Sequence, residues 1–499
     1  MSVQRSVLVG LLALVAVAGF VSISAAQPVG LEGYQVLKVE LRNDREVEEI
    51  IALDEASPEM EIWSDCLDVG VIDVRVSPDD AALLKELGFE YEVDVEDLQQ
   101  LYDELFQGPP WDDFFDTYRS YNEHVAFMQG LVADYPNLAS MADLGTSVQG
   151  RHLWAIRITG TGQNNPAVIY HGAQHGNEVI GPCAIAYTAR HLLTNYATDP
   201  GIRFLVDNVE WFLLPMMNPD GYERGTRSNA NGQDLNRDWP DPDGSPARCT
   251  QPETRAMRDF FSDHPNSRAH NDFHSYGRMI MWPWSYIRSR CQDDATYNLL
   301  GTEMQNRIRS IRGTNYDRGA LCVDFRLCVN GSSVDYTYGG ADQWGYGVEI
   351  GSSHHPPTRE IVPTSQEMLQ FMLTLTEFIN DCNENGVPDW KDLAQGKARD
   401  GNGNRTPDEC EYPACTFDER LRKAKCKEKR GINKLKVKLV GGIPGNAYEV
   451  ELSSGEKQAG SLDINGKAKV NFKYLSPGPG TATATWECGA IAKKDYTCP

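Results

Sequence analysis

The chain has 499 residues, 41% hydrophobic and 24% charged, which suits folded globular domains and excludes disordered, collagen-like and coiled-coil proteins. A formal net charge of −24 argues against nucleic acid as the main partner. Beyond the first 26 residues no apolar run approaches the ~20 residues that a membrane span requires.

At the N-terminus Arg5 precedes an apolar run, Val7–Ile23, and Ser24-Ala25-Ala26 supplies the small residues of a cleavage site. Residues 1–26 are therefore expected to be a secretory signal peptide. Twelve cysteines fit an oxidising compartment, and their even number permits complete pairing.

Residues 27–110 form an acidic segment with 23 acidic and 5 basic residues, and Gly108-Pro109-Pro110 marks its end. Alternation predicts strands at Tyr34–Leu41, Val69–Val76 and Tyr91–Val95. Helices are predicted at Asp44–Leu53, Pro78–Leu87 and Glu96–Phe106, the second with Pro in its first turn. This order suggests two strand–helix–strand repeats in an open sandwich. Residues 111–380 alternate strands (His152–Thr159, Ala167–His171, Val209–Met216, Ala269–His274, Gly347–Ile350) with helices (Tyr121–Asp134, Val179–Tyr196, Pro252–His264, Ala295–Ile311, Thr364–Ile379). Such a pattern predicts an α/β domain on a mixed, largely parallel sheet, whose active site would lie outside the carboxyl ends of its strands.

Two strand ends draw attention: His171-Gly172-Ala173-Gln174-His175 and Asp272-Phe273-His274. His175 and Glu178, three apart at a strand-to-helix junction, can converge on one metal. Catalytic zinc takes three such protein ligands and keeps one position open for water. His274, at another strand end, is the best third ligand.

Six motifs occur in an order that resembles the secreted zinc procarboxypeptidases of the metallocarboxypeptidase A/B family. They are His175-x-x-Glu178, Asn218-Pro219-Asp220-Gly221-Tyr222, Arg224-Gly225-Thr226-Arg227-Ser228, Asp234-Leu235-Asn236-Arg237-Asp238-Trp239, His274-Ser275-Tyr276 and Gly345-Tyr346-Gly347-Val348-Glu349-Ile350. The similarity runs from about Gly33 to Asn380, so the acidic segment resembles the family's activation domain, with residues 111–380 as the catalytic domain. The resemblance implies zinc held by His175, Glu178 and His274, with Asp234 orienting His175. It implies that Arg237, helped by Asn236, clamps the peptide's terminal carboxylate. It further implies that Arg224 stabilises the oxyanion, that Glu349 acts as base toward the attacking water, and that Tyr276 lines the subsites before the scissile bond. The expected partners are peptide or protein C-termini, with the chain's own propeptide as inhibitor.

Two positions depart from the family pattern. Leu327 stands where a mobile substrate-binding tyrosine is usual, and Asn177 where digestive members have arginine. Both leave the metal residues intact and bear on affinity and subsite choice. The resemblance further implies that Val334, before Asp335, stands at the floor of the pocket for the C-terminal side chain. An apolar floor predicts a preference for hydrophobic or aromatic C-terminal residues over Lys and Arg. No Lys or Arg lies between Glu86 and Tyr118, so a trypsin-like cut at the boundary is impossible there. The cut must fall near Leu105-Phe106-Gln107 or at Arg119.

Residues 381–414 carry a calcium signal. Asp381, Asn383, Asn385, Asp389 and Asp392 occupy positions 1, 3, 5, 9 and 12 of an EF-hand-like loop. Asp400, Asn402, Asn404, Asp408 and Glu411 repeat it, with Arg405 in place of the turn glycine. The pair resembles dockerin loops, and Cys382 with Cys410 could bridge it. The tail, residues 415–499, has 9 acidic and 16 basic residues. Strands predicted at Lys434–Leu439, Ala447–Leu452, Ala468–Phe472 and Thr481–Trp486 suggest a small β-sandwich stapled by Cys415, Cys426, Cys488 and Cys498. Its charge suits attachment to an anionic surface or polymer. Two alternatives to a zymogen of a secreted carboxypeptidase stay open: a cell-wall peptidase, and an inactive binding or adhesion protein on the same fold.

Overall fold

The structure is a computed structural model that describes residues 30–65, 67–106, 113–160, 165–243, 249–381, 389–398, 407 and 419–499. The acidic segment folds as four strands, β1 (Gln35–Leu41), β2 (Glu61–Ile62), β3 (Gly70–Val76) and β4 (Glu90–Val95), in the order β2-β3-β1-β4. All three pairings are antiparallel. Helices Asp44–Ala56 and Pro78–Glu86 supply the crossovers, the latter started by a Ser77/Asp80 capping box with Pro78 in its first turn. The predicted strand–helix–strand repeats are present; the two-residue strand β2 was too short to leave a periodic signal. Leu37, Val39, Ile50, Val74 and Leu84 give this unit its own core.

The central sheet has eight strands: β5 (Ala139–Thr146), β6 (His152–Ile158), β7 (Ala167–Gly172), β8 (Glu210–Leu214), β9 (Ser267–His274), β10 (Met279–Trp282), β11 (Asp317–Ala320) and β12 (Trp344–Glu349). Their order is β11-β10-β12-β9-β7-β8-β6-β5. The run β12-β9-β7-β8 is parallel, whereas β10 meets β12, and β6 meets β8 and β5, in antiparallel fashion. Every residue of β7 is buried, as expected for a central parallel strand covered on both faces. Helices Ile180–Asn195 and Ile361–Ile379 pack over β7 and β9 and bury Cys183, Leu192, Met368 and Phe371. The sheet is thus more mixed than its sequence suggests: β5, β10 and β11 are short or poorly alternating and escape detection.

Between β7 and helix Ile180–Asn195 the chain passes against helix Pro219–Arg224. A Cβ at Gly176 would lie 2.0 Å from the Gly221 carbonyl carbon and 2.3 Å from Tyr222 N. This close approach of two backbones fixes the path of the residues on either side of Gly176, His175 included.

The tail folds as two facing sheets. One holds β13 (Arg420–Lys429), β14 (Ile432–Val440) and β17 (Ala468–Lys473); the other holds β15 (Ala447–Leu452), β16 (Lys457–Ser461), β18 (Gly478–Trp486) and β19 (Ile491–Cys498). Leu435, Val437, Phe472, Val450 and Trp486 meet between them, and Cys426–Cys498 joins β13 to β19. Cys322–Cys328 closes a second disulfide in the central domain. Complete cysteine pairing is not found, because Cys183, Cys249 and Cys291 are buried free thiols. The expected signal peptide, the expected boundary at 107–112 and most of the residues expected to form the two calcium loops (Asn383, Asn385, Asp400, Asn402, Asn404, Asp408, Glu411) lie outside the described residues, as does the expected pairing of Cys382 with Cys410. Of the proposed calcium ligands Asp389 and Asp392 are buried, at the start and in the middle of helix Asp389–Ala394, and Asp381 follows the last central helix. Among the described residues no helix is long and apolar enough to cross a membrane.

Candidate metal centre and active site

Parallel register brings the key residues to one end of the sheet. β9 ends at His274 and β12 at Glu349, and the two are register partners. β7 ends at Gly172, beside Phe273, so the chain leaving β7 reaches His175 and Glu178 at the same edge. The result is one buried cluster of His175, Glu178 and His274, whose ligand atoms all lie within 4.8 Å of one another. Glu178 Oε1 is 2.7 Å from His175 Nδ1, and Glu178 Oε2 is 3.1 Å from His274 Nδ1. The two Nδ1 atoms are 3.1 Å apart.

The second nitrogen of each ring faces a carboxylate. His175 Nε2 is 3.0 Å from Asp234, and His274 Nε2 is 2.8 Å from Asp272. Carboxylates there leave the Nδ1 lone pairs turned to the common centre, the usual outer support of a metal-binding histidine. Two imidazoles and one carboxylate converging in this way fit zinc. Burial alone would raise the Glu178 carboxyl, but the two rings bring it down to about 2. Burial likewise opposes ionisation of Asp234, yet Arg227, His175 and Arg237 hold it well below the carboxylate range. His274 moves the other way: burial disfavours its charge, and Asp272 and Glu178 carry it well above the ordinary imidazole value.

Asp272 escaped the sequence reading as a functional residue. It accepts from Gln174 Nε2 at 2.6 Å and from Ser333 Oγ at 3.1 Å, and its other oxygen faces His171 Nδ1 at 3.2 Å. The signal was available, since residues two apart on a strand share a face. Asn236 accepts from Ser333 N at 3.0 Å, and its amide nitrogen lies 3.4 Å from His274 Nε2.

The arginines differ from expectation. Arg224 is the exposed last residue of helix Pro219–Arg224, which ends at Gly225 with φ +62. That reversal turns the chain inward, and the arginine that enters the site is Arg227. Arg227 is 3% exposed, donates through Nε to Asp234 Oδ2 at 3.1 Å and lies 3.8 Å from Glu178. A cation at a helix C-terminus is ordinary surface chemistry; the glycine after it was the clue that the next arginine takes a different direction. Arg237 also faces the site, donating to the Asp65 carbonyl at 2.8 Å.

Two segments of the acidic unit, Glu61–Asp65 and the strand carrying Asp73, reach this centre. Glu61 accepts from the backbone N–H groups of Arg227 and Ser228 at 2.9 and 2.7 Å. The Trp63 carbonyl accepts from Arg227 Nη1 at 3.0 Å, and the Asp65 carboxylate pairs with Arg227 Nη2. Asp73 accepts from the Tyr276 hydroxyl at 3.1 Å and pairs with Lys38 at 3.1 Å. Burial, then Asp65, push the Glu349 carboxyl well above its ordinary value.

Val334 is buried with Met281 and Leu321, and Met279, Phe325 and Leu327 pack beside them. A Cβ at Gly347 would stand 3.1 Å from Val334 Cγ2, so that glycine leaves space beside the cluster. Asn177 is wholly buried, and neither polar atom of its amide has a partner among the described residues. It does not line an open surface.

Removing either outer carboxylate tests this arrangement. Asp272→Asn and Asp234→Asn should each weaken zinc affinity by about 10- to 100-fold, measured by competition with a chelator. Unchanged affinity in both would show that the rings are held by other means.

The zinc carboxypeptidase family model matches residues 124–371. Rat carboxypeptidase A1 is 26% identical over 392 residues, covering 69% of this chain and 93% of its own. Mouse carboxypeptidase A2 is 27% identical over 398 residues, covering 70% and 94%. Among solved structures, thrombin-activatable fibrinolysis inhibitor superposes with a TM-score of 0.60 at 21% identity, covering 68% of this chain and 97% of that one. Carboxypeptidase A from Helicoverpa armigera gives 0.56 at 22%, covering 69% and 98%; at such identities the two establish a shared fold. With its His-Glu-His centre at the carboxyl edge of that fold, the chain belongs to the zinc carboxypeptidases, as a metallocarboxypeptidase of carboxypeptidase A/B type.

Proposed function

We propose that the chain is a secreted zymogen whose catalytic domain removes apolar residues from the C-termini of peptides. The observation that carries this reading is the meeting, at one end of the sheet, of the metal cluster, Glu349, two arginines and the apolar cluster around Val334. Zinc, when bound by His175, Glu178 and His274, supplies a Lewis acid that lowers the pKa of water toward about 7. Arg237, with Asn236 beside it, binds the terminal carboxylate through its planar fork. The Asp65 carbonyl already accepts from that guanidinium, as a carboxylate oxygen of substrate would. Arg227, rather than Arg224, stabilises the oxyanion as the carbonyl becomes tetrahedral. Glu349 takes a proton from the attacking water at its carboxylate and returns it to the leaving amine.

The pocket floor sets the preference. Val334, Met281 and Leu321 offer no charge to a buried cation, which would lose hydration without repayment. An apolar or aromatic side chain gains roughly 1.5–3 kcal/mol on burial. Leu327 adds apolar wall where a hydroxyl would have bound substrate. Cell-wall peptides and pure adhesion are less favoured, since the terminal carboxylate clamp and the full catalytic set are both present. A peptide series tests the reading: free acids ending in Phe or Leu should show kcat/KM at least about tenfold above those ending in Lys, and well above the matching amides. Arg237→Ala should erase the acid-over-amide preference. Equal rates on acid and amide in the parent enzyme would indicate an endopeptidase.

The acidic unit acts as the inhibitor. Glu61, Trp63 and Asp65 occupy the donors of Arg227 and Arg237 that substrate needs, and Asp73 holds Tyr276. Release by trypsin-like cleavage is disfavoured, because Arg119 is tied to the Phe114 carbonyl at 2.9 Å with its side chain 14% exposed. A non-tryptic cut within residues 107–112 fits better. The Asp65–Arg227 pair is charge-assisted and worth about 1.5–3 kcal/mol. Uncleaved Asp65→Ala should therefore hydrolyse a short peptide about tenfold or more faster than the uncleaved parent chain. No increase would mean that the plug does not depend on this carboxylate.

The loops at Asp381–Asp392 and Asp400–Glu411 are proposed to hold calcium, a reading supported by the burial of Asp389 and Asp392. Calorimetric titration should detect binding that Asp392→Ala weakens, without effect on peptide hydrolysis. Absence of heat at millimolar calcium would leave these loops as a plain linker.

A further inference from the structure

The hairpin of β15 and β16 and the sheet of β13, β14 and β17 treat charge in opposite ways. On β15 the outward residues Glu449 and Glu451 share Lys457, at 3.1 and 3.0 Å, so the charges are paired. On the other sheet they are not. Strand register sets Lys423 opposite Lys438 and Lys438 opposite Lys469. The next row is Lys425, Lys436 and Asn471, and the third is Lys427, Lys434 and Lys473. The alternating residues Leu435, Val437, Leu439, Val470 and Phe472 are buried in the core, so all nine side chains share the outer face. Seven of the eight lysines are exposed and Lys434 is half-buried. Among the described residues none pairs with a carboxylate.

We infer that the outer face of β13, β14 and β17 is a binding surface for an extended acidic polysaccharide. This goes beyond peptide hydrolysis and rests on no residue of the catalytic site. Strands about 4.8 Å apart, with every second residue about 6.8 Å along, give a flat lattice of regularly spaced cations. A polymer with an anion on each repeat can meet several at once. Lysine is a point charge with rotatable donors, so it reads charge spacing rather than the planar geometry that arginine would select. The grid lacks the row of aromatic side chains on which unpaired bases stack. It also has no apolar side chain to enter a bilayer. One aromatic, Tyr474, stands 78% exposed after Lys473, at the rim, where a sugar ring can pack. Lys436 shows the crowding: Lys469 first, then partial desolvation, Lys438 and Lys423 lower its pKa.

The test uses the full chain with four probes: heparin, polygalacturonate, a short DNA duplex and phosphatidylserine-containing vesicles. Binding to a polysaccharide probe should weaken with salt. Lys425→Gln/Lys436→Gln/Lys469→Gln should cut affinity about tenfold or more and reduce the salt slope by about two to three. A control variant, Lys457→Gln/Lys493→Gln/Lys494→Gln, removes the same charge from the other sheet and should change affinity less than about twofold. Both variants should keep the parent far-ultraviolet circular dichroism and, after activation, the parent peptidase rate. The inference is overturned by absence of binding to both polysaccharides, by equal losses in the two variants, or by tighter binding to DNA or vesicles through the same lysines.

Discussion

The parallel pairing of β12, β9 and β7 is the constraint on which the site depends. It sets Glu349 beside His274 and ends β7 opposite Phe273, one residue before the level of His274. Backbone hydrogen bonds in a sheet covered on both faces cannot slip by one residue without turning buried side chains outward. The proposed base and the last metal ligand are thereby tied to one ladder, and only His175 and Glu178 need a loop to reach them. That loop is fixed in turn by the Gly176–Gly221 approach, which leaves no room for a Cβ. Rigidity of this kind matters because a misplacement of about 1 Å at a catalytic group can cost 10²-fold.

Gathering these residues creates an electrostatic problem. Glu178, Asp272 and Glu349 are buried and Asp234 is partly so, and a partly buried Asp65 joins them when the acidic unit is in place. Buried carboxylates persist when paired or bound to metal. Arg227 and the histidines offset part of the charge, and a divalent cation at the His175–Glu178–His274 centre would offset more. The proposed inhibition uses the same logic with few residues. Of the 23 acidic residues in 27–110, Glu61, Asp65 and Asp73 account for the carboxylate contacts described with the catalytic domain. The rest of the negative charge does not act by direct contact with the site.

What the sequence made legible follows from what leaves a local signal. Long alternating or helical stretches, such as β6, β7 and the helices Tyr121–Asp134 and Pro252–Asp263, were readable to within a residue or two. The metal residues were readable because they sit at strand ends with a recognisable spacing and order. Arg227 was not, because motif order alone does not say which of two arginines the chain direction carries inward; the left-handed turn at Gly225 decides that. Asp65 had no signal at all: its importance comes from a contact with residues more than 160 positions away. β13 was missed for a different reason. Arg420–Lys429 is so rich in Lys and Arg that its alternation is between charged residues and only a few small apolar ones, and it becomes visible as a strand through pairing with β14.

That same charge makes the C-terminal unit physically uneconomical as a mere appendage. The register contains five directly opposed lysine pairs, 423–438, 425–436, 427–434, 438–469 and 434–473. Like charges directly opposite destabilise a sheet, so each of these pairs opposes the pairing of its strands. Residues 415–499 lie just above the ~70–80 residues below which a single core seldom supplies more than about 3–5 kcal/mol, so the unit is small enough for such repulsion to matter. The Cys426–Cys498 disulfide, with a sequence separation of 72, restricts the unfolded chain by about 4 kcal/mol and so works against that repulsion. Neighbouring β15 shows that this fold can neutralise its surface with glutamates when charge pairing is all that is required. An unneutralised lattice maintained against that cost points to a ligand that supplies the missing anions.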